Sequence, residues 1–473
     1  MRLSLLLRKA GIEWKGRDVE VTSVTEDSRK VVPGAVFFAF KGFSTDGNFF
    51  VNEALKKGAV AVITDSTDTF KKLSGRIPVI FSREARKILS RASAAFYGNP
   101  EKELKVIGIT GTNGKTTTAY LLFTVLNRLS VKCGIISTVE WGTRDELAPS
   151  SMTTPSPTEL FKKLSLLKKR GCEFTVMEVS SHGLELERVE PIEFHGAVFT
   201  NLSRDHLDFH RDIYSYFLAK EKLFFRSCTS SINADDSFGK VLLGLKGIFP
   251  GSLVSYGKEG DFKLISFSKG LLRFELNGKT YKLPTDLKGE FNAYNILAAL
   301  SLLVAIGFDI EELLPLWRKI RVPGRLEEAA PGVFIDYAHT PDALEKVLKA
   351  LRKESKGRLI TVFGCGGDRD RGKRPQMGKI AEEFSDAVVV TSDNPRSEPP
   401  ERIAEEILSG MKEAEKAVVI LDREEAIKHA LRIKKEGDTV LIAGKGHETY
   451  QEIKGVKYHF NDRKVVEQFY GNR

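Results

Sequence analysis

Gly111-Thr112-Asn113-Gly114-Lys115-Thr116-Thr117 lies between a run of β-type residues and a long helical stretch. A glycine loop in that place aims backbone N–H groups and the positive end of a helix at phosphate oxygens. Lys115 would reach the outer phosphates and the Thr116 hydroxyl would take a place on Mg²⁺, so the loop predicts ATP binding. The spacing departs from the GxxxxGK[ST] pattern, because the residue five before Gly114 is Ile109. The plainer alternative is a glycine turn between strand and helix. Gly-Lys-Thr in that setting favours phosphate.

Two further segments carry groups that suit phosphate and cation chemistry. Glu178, in Met177-Glu178-Val179-Ser180-Ser181-His182-Gly183, falls near the end of a predicted strand, where a second metal ligand belongs. Asn201-Leu202-Ser203-Arg204-Asp205-His206-Leu207-Asp208-Phe209-His210 is dense in metal-capable side chains. Its bland alternative is a helix cap with solvated charges at Asp208 and His210. A zinc site from His206 and His210 lacks a third ligand, and Mg²⁺ with phosphate suits the upstream loop better. On residue type alone Lys220 reads as a solvated helix lysine, Asn292 and Asn295 as helix caps, and Thr153-Thr154-Pro155 as a turn.

In the last third of the chain three polar loops follow β-type runs: Gly364-Cys365-Gly366-Gly367-Asp368-Arg369-Asp370, residues 392–396, and Gly444-Lys445-Gly446-His447-Glu448. Ligands in α/β folds bind at the carboxyl ends of parallel strands, so the three are expected to converge. The first is not a dinucleotide fingerprint, since Arg369 stands where GxGxxG needs glycine. Arg369 and Arg396 could clamp carboxylates. Glu448, with the Gly444 backbone, could take an ammonium. An acid and a base at opposite ends describe a diamino acid.

The elements that must position these groups follow from composition and pattern. The chain has 473 residues, 41% hydrophobic and 29% charged. That is an ordinary globular composition, enough for about three domains. No apolar run reaches the roughly 18–20 residues of a spanning helix. The apolar stretch after Met1-Arg2 is too short for a signal peptide and reads as an amphipathic helix, which gives a cytoplasmic expectation. Four dispersed cysteines without a CxxC pair suit a reducing compartment. The net charge of +10 is spread among interleaved acids and bases, with no basic–aromatic surface for nucleic acid. Glutamine occurs only at 376, 451 and 468, while Lys and Glu abound, a balance reported for proteins that work hot.

Strands are predicted at 19–24, 36–40, 59–64 and 106–110, and helices at 49–57, 84–97, 116–129, 292–304 and 310–320. Residues 321–325 read as a hinge. Beyond it, strands at 359–363, 387–391, 418–421 and 439–443 alternate with helices at 341–351, 375–384, 400–411 and 423–434, the pattern of a doubly wound parallel sheet. The expected fold is α/β in three domains: a small N-terminal α/β domain over 1–101, a central P-loop domain with a mostly parallel sheet over 102–322, and a C-terminal Rossmann-like domain over 323–473.

Taken in order, the Gly111–Thr117 loop, the Glu178 segment, the 201–210 segment and Gly289-Glu290-Phe291-Asn292-Ala293-Tyr294-Asn295 resemble the motifs of the Mur ligases, ATP-dependent enzymes that build the peptide stem of bacterial cell-wall precursors. Thr25-Glu26-Asp27-Ser28-Arg29, Pro33-Gly34 and Asp46-Gly47 resemble the family's UDP-binding domain, and Asp393-Asn394-Pro395-Arg396 its third-residue-adding branch. The resemblance spans nearly the whole chain. It implies that the D-glutamate γ-carboxylate of UDP-N-acetylmuramoyl-L-alanyl-D-glutamate attacks the ATP γ-phosphate. The acyl phosphate then passes to meso-diaminopimelate or lysine, with release of ADP and phosphate.

By the same resemblance Lys115, Glu178, His206 and Lys220 are catalytic, and Thr116, Glu178, His206 and a carbamylated Lys220 hold Mg²⁺. ATP would meet Gly111, Thr112, Asn113, Gly114, Lys115, Thr116, Thr117, Asn292, Asn295, Arg325 and Asp336. The muramyl nucleotide would use Ser28, Phe43, Ser44, Thr45, Thr153, Thr154, Ser180 and Arg188. The amino acid would use Arg369, Asp393, Asn394, Pro395, Arg396, Gly444 and Glu448. Leu186 and Pro399 depart from the residues usual in the family. Partners are small molecules only, without nucleic acid or membrane insertion, and a monomer is expected. Folylpolyglutamate synthetase shares the ATPase core but lacks a uridine-binding domain of this kind. A silent nucleotide-binding regulator predicts damage at Lys115, Glu178, His206 or Lys220, and all four are intact.

Overall fold

The computed structural model describes residues 1–42 and 45–471. Three sheets, one after another along the chain, organise them. The first joins β1 (Ser23–Thr25), β2 (Ala35–Ala39), β3 (Ala61–Thr64) and β4 (Val79–Phe81) in sequence order, all parallel. Every residue of β2 and β3 is buried, as expected for a parallel sheet covered on both faces. The helix Leu3–Lys9 turns Leu3, Leu6 and Leu7 into that core, while Arg8 and Lys9 suit its C-terminal dipole. The strand expected at 19–24 forms only at its end, in β1.

The central sheet contains β5 (Lys105–Thr110), β6 (Cys133–Ile136), β7 (Glu140–Thr143), β8 (Glu146–Pro149), β9 (Phe174–Glu178), β10 (Gly196–Phe199), β11 (Thr229–Asn233) and β12 (Ser252–Gly257). Its parallel part runs β12-β11-β10-β5-β9-β6. Chain order therefore reverses across β5, which opens a crevice beyond its carboxyl end. An extension lengthens one side: β13 (Phe262–Ser268) joins β12 in parallel, and β14 (Leu271–Leu276) and β15 (Lys279–Pro284) follow it as an antiparallel meander. The helices Lys115–Arg128 and Glu290–Ala305 share one apolar core with this sheet. The helix expected over 310–320 is shorter, Ile310–Leu313, and passes into a 3₁₀ turn at Leu314–Trp317. Pro315 supplies no N–H to continue an α-helix there.

The last sheet holds β16 (Glu327–Ala330), β17 (Val333–Asp336), β18 (Leu359–Phe363), β19 (Ala387–Val390), β20 (Ala417–Val419) and β21 (Thr439–Ala443), ordered β16-β17-β21-β18-β19-β20. Only β16 is antiparallel, at the edge. The pairings Asp336↔Ala443 and Phe363↔Val390 bring the loops after β17, β18, β19 and β21 to one end. A hairpin, Tyr450–Ile453 with Val456–His459, and a helix, Asp462–Gly471, follow. Among the described residues no helix is long and apolar enough to cross a membrane.

Candidate active site

The register of the central sheet sets Ile109 opposite Glu178 and Thr110 opposite Phe199. The glycine loop after β5 is thus flanked by the last residue of β9 and by the segment after β10. Gly111 has φ +144°, and a Cβ there would lie 1.9 Å from Thr200 Oγ1. Gly114 has φ +87°, and a Cβ would lie 2.4 Å from Asn295 Oδ1. Both positions need glycine, for backbone angle and for close approach. Asn201 stitches the loop down, accepting from the Thr112 N–H through its carbonyl (2.8 Å) and from the Asn113 N–H through Oδ1 (3.0 Å). The helix Lys115–Arg128 starts at Gly114 without a side-chain cap, so its N-terminus faces the crevice.

Two lysines crowd this loop, Lys115 half-buried and Lys220 buried. Lys115 Nζ donates to the carbonyls of Gly111 (2.9 Å) and Thr112 (2.8 Å). Lys220, 1% exposed, donates to the Gly111 carbonyl (2.9 Å), with its Nζ 4.4 Å from the Tyr216 ring centre. Among the described residues neither has a carboxylate within ion-pair distance. Burial, and for Lys220 the neighbouring Lys115 charge, pushes both ammonium groups toward the neutral form, Lys220 well below the usual lysine range. Lys220 is therefore not a solvated helix lysine. Glu178 is fully buried and accepts from the Thr138 N–H (2.8 Å) and hydroxyl (3.0 Å).

His206 has φ +53° and sits 3.5 Å from Asp205. The ring, about half exposed, is lowered to about 4 because desolvation by the cleft outweighs that carboxylate, which leaves the imidazole neutral with a lone pair to offer. His210 corrects the solvated-cap expectation: it is 5% exposed and bonds Ser181 Oγ at 2.8 Å. His182 stands between the two, ring centres 4.9 Å from His206 and 5.5 Å from His210. Among the described residues no three His, Cys, Asp or Glu side chains converge as a cation cage. Asn292 and Asn295 do not cap the following helix either; Asn295 Nδ2 donates to Asn292 Oδ1 (2.9 Å) and Asn292 Nδ2 to the Lys288 carbonyl (2.7 Å).

The C-terminal domain reaches this loop. Arg325 donates to Thr116 Oγ1 (3.1 Å) and lies over the Tyr337 ring, while Asp342 accepts from Asn113 Nδ2 (2.9 Å). Asp336 accepts the Leu326 and Ala338 N–H groups and is raised to about 6, because burial outweighs Arg325. A cleft of about 1440 Å³ results, lined by Lys115, Thr116, Glu178, His206, Asn292, Asn295, Arg325 and Asp336 among others.

The three C-terminal loops converge as expected, but their charges are already matched. Arg396, at φ +53°, donates to the Gly367 carbonyl (2.6 Å) and lies 3.4 Å from Glu452. Glu448 does not stand free for an incoming ammonium: Lys445, fully buried, lies 2.9 Å from it, 3.0 Å from Asn394 Oδ1 and 3.8 Å from Asp393. Pro395 O would be 1.9 Å from a Cβ at Gly367, and Asp393 Oδ2 2.6 Å from one at Gly444. Arg369 is exposed. Beneath the loops the buried Arg374 holds Glu398 through two bonds (2.8 and 2.9 Å) and Glu406 at 2.7 Å.

Toward the N-terminal domain, Thr154 donates to the Glu178 carbonyl (2.9 Å) and Arg188 donates to the Thr154 carbonyl (2.8 Å). Ser180 caps the helix Ser181–Glu185, and Thr153 bonds Thr138 (3.0 Å). Ser28 donates to Glu53 (3.2 Å), and Thr45 is exposed. Phe43 and Ser44 lie outside the described residues. Sequence reasoning missed Thr138, Arg374, Lys445 and His339. Only His339 carried a signal, its place just after the end of β17.

A phosphate loop, two lysines at its carbonyls with no ion-paired carboxylate among the described residues, and a cleft shared with a second α/β domain define a nucleotide-dependent class of protein. Comparison narrows the class. Residues 20–109 match the Mur ligase family catalytic domain, 109–303 the Mur ligase middle domain and 324–446 the Mur ligase glutamate ligase domain. A UDP-N-acetylmuramoyl-L-alanyl-D-glutamate–2,6-diaminopimelate ligase of Aquifex aeolicus is 45% identical, over 95% of this chain and 94% of its own. A solved structure of a ligase with the same description superposes with a TM-score of 0.68 at 33% identity, covering 96% of this chain and 95% of that one. A Mycobacterium tuberculosis folylpolyglutamate synthase shares the fold, with a TM-score of 0.66 at 19% identity, over 81% of this chain and 94% of its own. The chain belongs to the Mur ligase family.

Proposed function

We propose that this chain is the ATP-dependent ligase that joins meso-diaminopimelate to the D-glutamate γ-carboxylate of UDP-N-acetylmuramoyl-L-alanyl-D-glutamate, working in the cytoplasm as a monomer. Residues 1–101 hold the uridine end, 102–322 the ATP, and 323–473 the amino acid. The observation that carries the reading is the glycine loop with the half-buried Lys115 and the buried Lys220 at its carbonyls, neither within ion-pair distance of a carboxylate among the described residues, beside a cleft that the C-terminal domain closes. An ammonium such as that of Lys115, held away from bulk water and from any carboxylate partner, is costly unless an anion completes it. Polyphosphate does so.

The donor set fits Mg²⁺, a hard cation that takes oxygen ligands and keeps some sites for substrate phosphates. Thr116, Glu178, His206 and Lys220 would hold it. When bound it supplies charge neutralisation at the transferring phosphoryl group. Lys220 fits the role as a carbamate, because a buried neutral amine is the form that reacts with CO₂, and the product is an anionic oxygen ligand. Lys115 and the loop N–H groups would orient the γ-phosphate, and Arg325 would add charge from the closing domain. The γ-carboxylate oxygen displaces ADP, giving an acyl phosphate that closure shields from water. The amine then forms the amide and phosphate leaves.

The folylpolyglutamate synthase shares only fold, and over less of this chain. Phosphate release from ATP with the UDP-linked dipeptide, run beside meso-diaminopimelate, L-lysine and D-lysine, tests the proposal. The reading expects release that needs both acceptor and amine and is fastest with diaminopimelate. Silence with all three amines returns a folate-type ligase to consideration, and a lysine preference removes Arg396 as reader of a second carboxylate.

A further inference from the structure

His339 lies in the loop between β17 and the helix Pro341–Glu354, one residue before the Thr340 cap. Its Nδ1 is 2.8 Å from the Tyr337 carbonyl oxygen. A carbonyl can only accept, so Nδ1 carries the proton and Nε2 keeps its lone pair. The Lys373 ammonium fixes the backbone by donating to the His339 carbonyl (2.8 Å). The residue lines the central cleft together with Lys115, Glu178 and His206. The Tyr337 ring, its centre 4.6 Å from that of His339, lies 5.2 Å from the His447 ring of the third amine-side loop, and the charges of Asp205 and Asp393 both act on the imidazole. The imidazole therefore stands on the route between the pocket that holds the amine and the place where an acyl phosphate would form.

The established class of reaction leaves one step without an owner. A diamino acid arrives as an ammonium and has no lone pair to attack with. We propose that His339 Nε2 is the general base that takes this proton. One N–H bond breaks and its proton passes to Nε2. The freed nitrogen lone pair forms the C–N bond to the acyl carbon. The C–O bond to phosphate breaks, phosphate leaves with that electron pair, and the second amine proton leaves with it or with solvent. Nε2 then returns its proton to water as the domains part.

The surroundings keep the ring in the form this needs. Burial comes first, then the Lys373 charge, and both hold it below the ordinary histidine range; Asp205, the Tyr337 carbonyl and Asp393 oppose them. The helix N-terminus adjacent to it works in the same direction as burial. At neutral pH the base is thus unprotonated before the amine arrives, while the two carboxylates stabilise the imidazolium that forms. His206 cannot take this part in the reading above, because its lone pair is assigned to the cation.

The proposal rests on the ligase reading, and the test separates the two. Hydroxylamine is an amine already unprotonated at neutral pH, so it traps an acyl phosphate without help from a base. Full-length wild-type protein, His339→Gln and His339→Asn would be given ATP and the UDP-linked dipeptide, with either hydroxylamine or diaminopimelate. Asparagine keeps a donor for the Tyr337 carbonyl but offers no base. Both variants are expected to form the hydroxamate within about threefold of the wild-type rate and to lose about 10²–10⁴-fold in amide formation, the range of general-base catalysis. The residual rate should keep rising with pH toward the amine's own pKa, because without the base only the free amine reacts, in place of the wild type's limb at the histidine. Restoration of amide formation in His339→Asn would make the residue structural and overturn the proposal, as would equal losses with both nucleophiles. Absence of hydroxamate from the wild type would instead overturn the ligase reading beneath it.

Discussion

The phosphate loop and the amine pocket treat buried charge in opposite ways. Around the loop Lys115, half-buried, and Lys220, buried, lie against carbonyl oxygens, and among the described residues no carboxylate sits within ion-pair reach. In the C-terminal domain every buried cation among the described residues has its acid: Arg374 with Glu398 and Glu406, Arg423 with Asp462, Lys445 with Glu448. A paired charge can be folded in permanently, because the partner offsets its desolvation. An unpaired one marks the place where a ligand, or a carbamate formed on the amine itself, brings the negative charge. The first region is built to be completed, the second to hold shape and lend one side of each pair.

The contrast breaks most visibly at Lys220. Lys220→Ala removes the anionic ligand that carbamylation would supply, and a loss of about 10²–10³ in kcat is expected, comparable to deleting one preorganised electrostatic contact. Added formate or acetate should restore part of it by supplying a carboxylate oxygen, and an added amine should not. Undiminished turnover in the variant would remove Lys220 from the cation site.

Arg374→Ala should act on stability before chemistry. It leaves two carboxylates in a partly covered site without their cation, at a cost of about 2–3 kcal/mol, discounted because both acids keep some solvent. A drop of about 4–12 °C in the melting of the C-terminal domain follows, with the ATP-side KM preserved. A variant that melts as the parent does would deny the paired network its structural role. Arg396→Ala is the milder cut. Losing one charge-assisted contact should raise the diaminopimelate KM about 10–100-fold, with ATP affinity held and discrimination against lysine narrowed.

The smallest effect is in acid. Arg374 bonding holds Glu398 at about 2, and bonds from Arg371 and Arg374 hold Glu406 at about 2, against 4.5 for a free glutamate. A carboxyl depressed in the folded state binds fewer protons there than when unfolded. Its contribution is fully present above about pH 4.5 and fades as pH falls toward 2. Chemical denaturation at stepped pH should find that slope in the parent and a flatter one in Arg374→Ala; equal slopes would contradict the pairing.

Local pattern in the sequence carried what local physics decides. The loop at 111–117, the parallel C-terminal alternation and the convergence of its loops all follow from strand ends and glycine positions. Spacing could not show that Lys220 is buried, because a lysine in the helix Ile213–Glu221 reads as solvated until the Gly111 carbonyl is seen to accept from its amine. The same holds for Lys445, whose partners lie on one loop close by and another about fifty residues away. Thr138 had no motif at all, and it grips Glu178 only because β6 and β9 pair. The antiparallel β13–β15 extension was hidden by alternation too weak to stand out from loops.

The account turns on one covalent link between the two regions, an acyl phosphate made over the loop and consumed at the amine pocket. Preparing the UDP-linked dipeptide with ¹⁸O in its γ-carboxylate, and reading the label in phosphate released during ligation, tests that link directly. One ¹⁸O per phosphate is predicted, because the attacking carboxylate oxygen leaves with phosphorus when the amine takes its place. Phosphate free of label would mean that ATP is cleaved by water and that the two sites never share an intermediate.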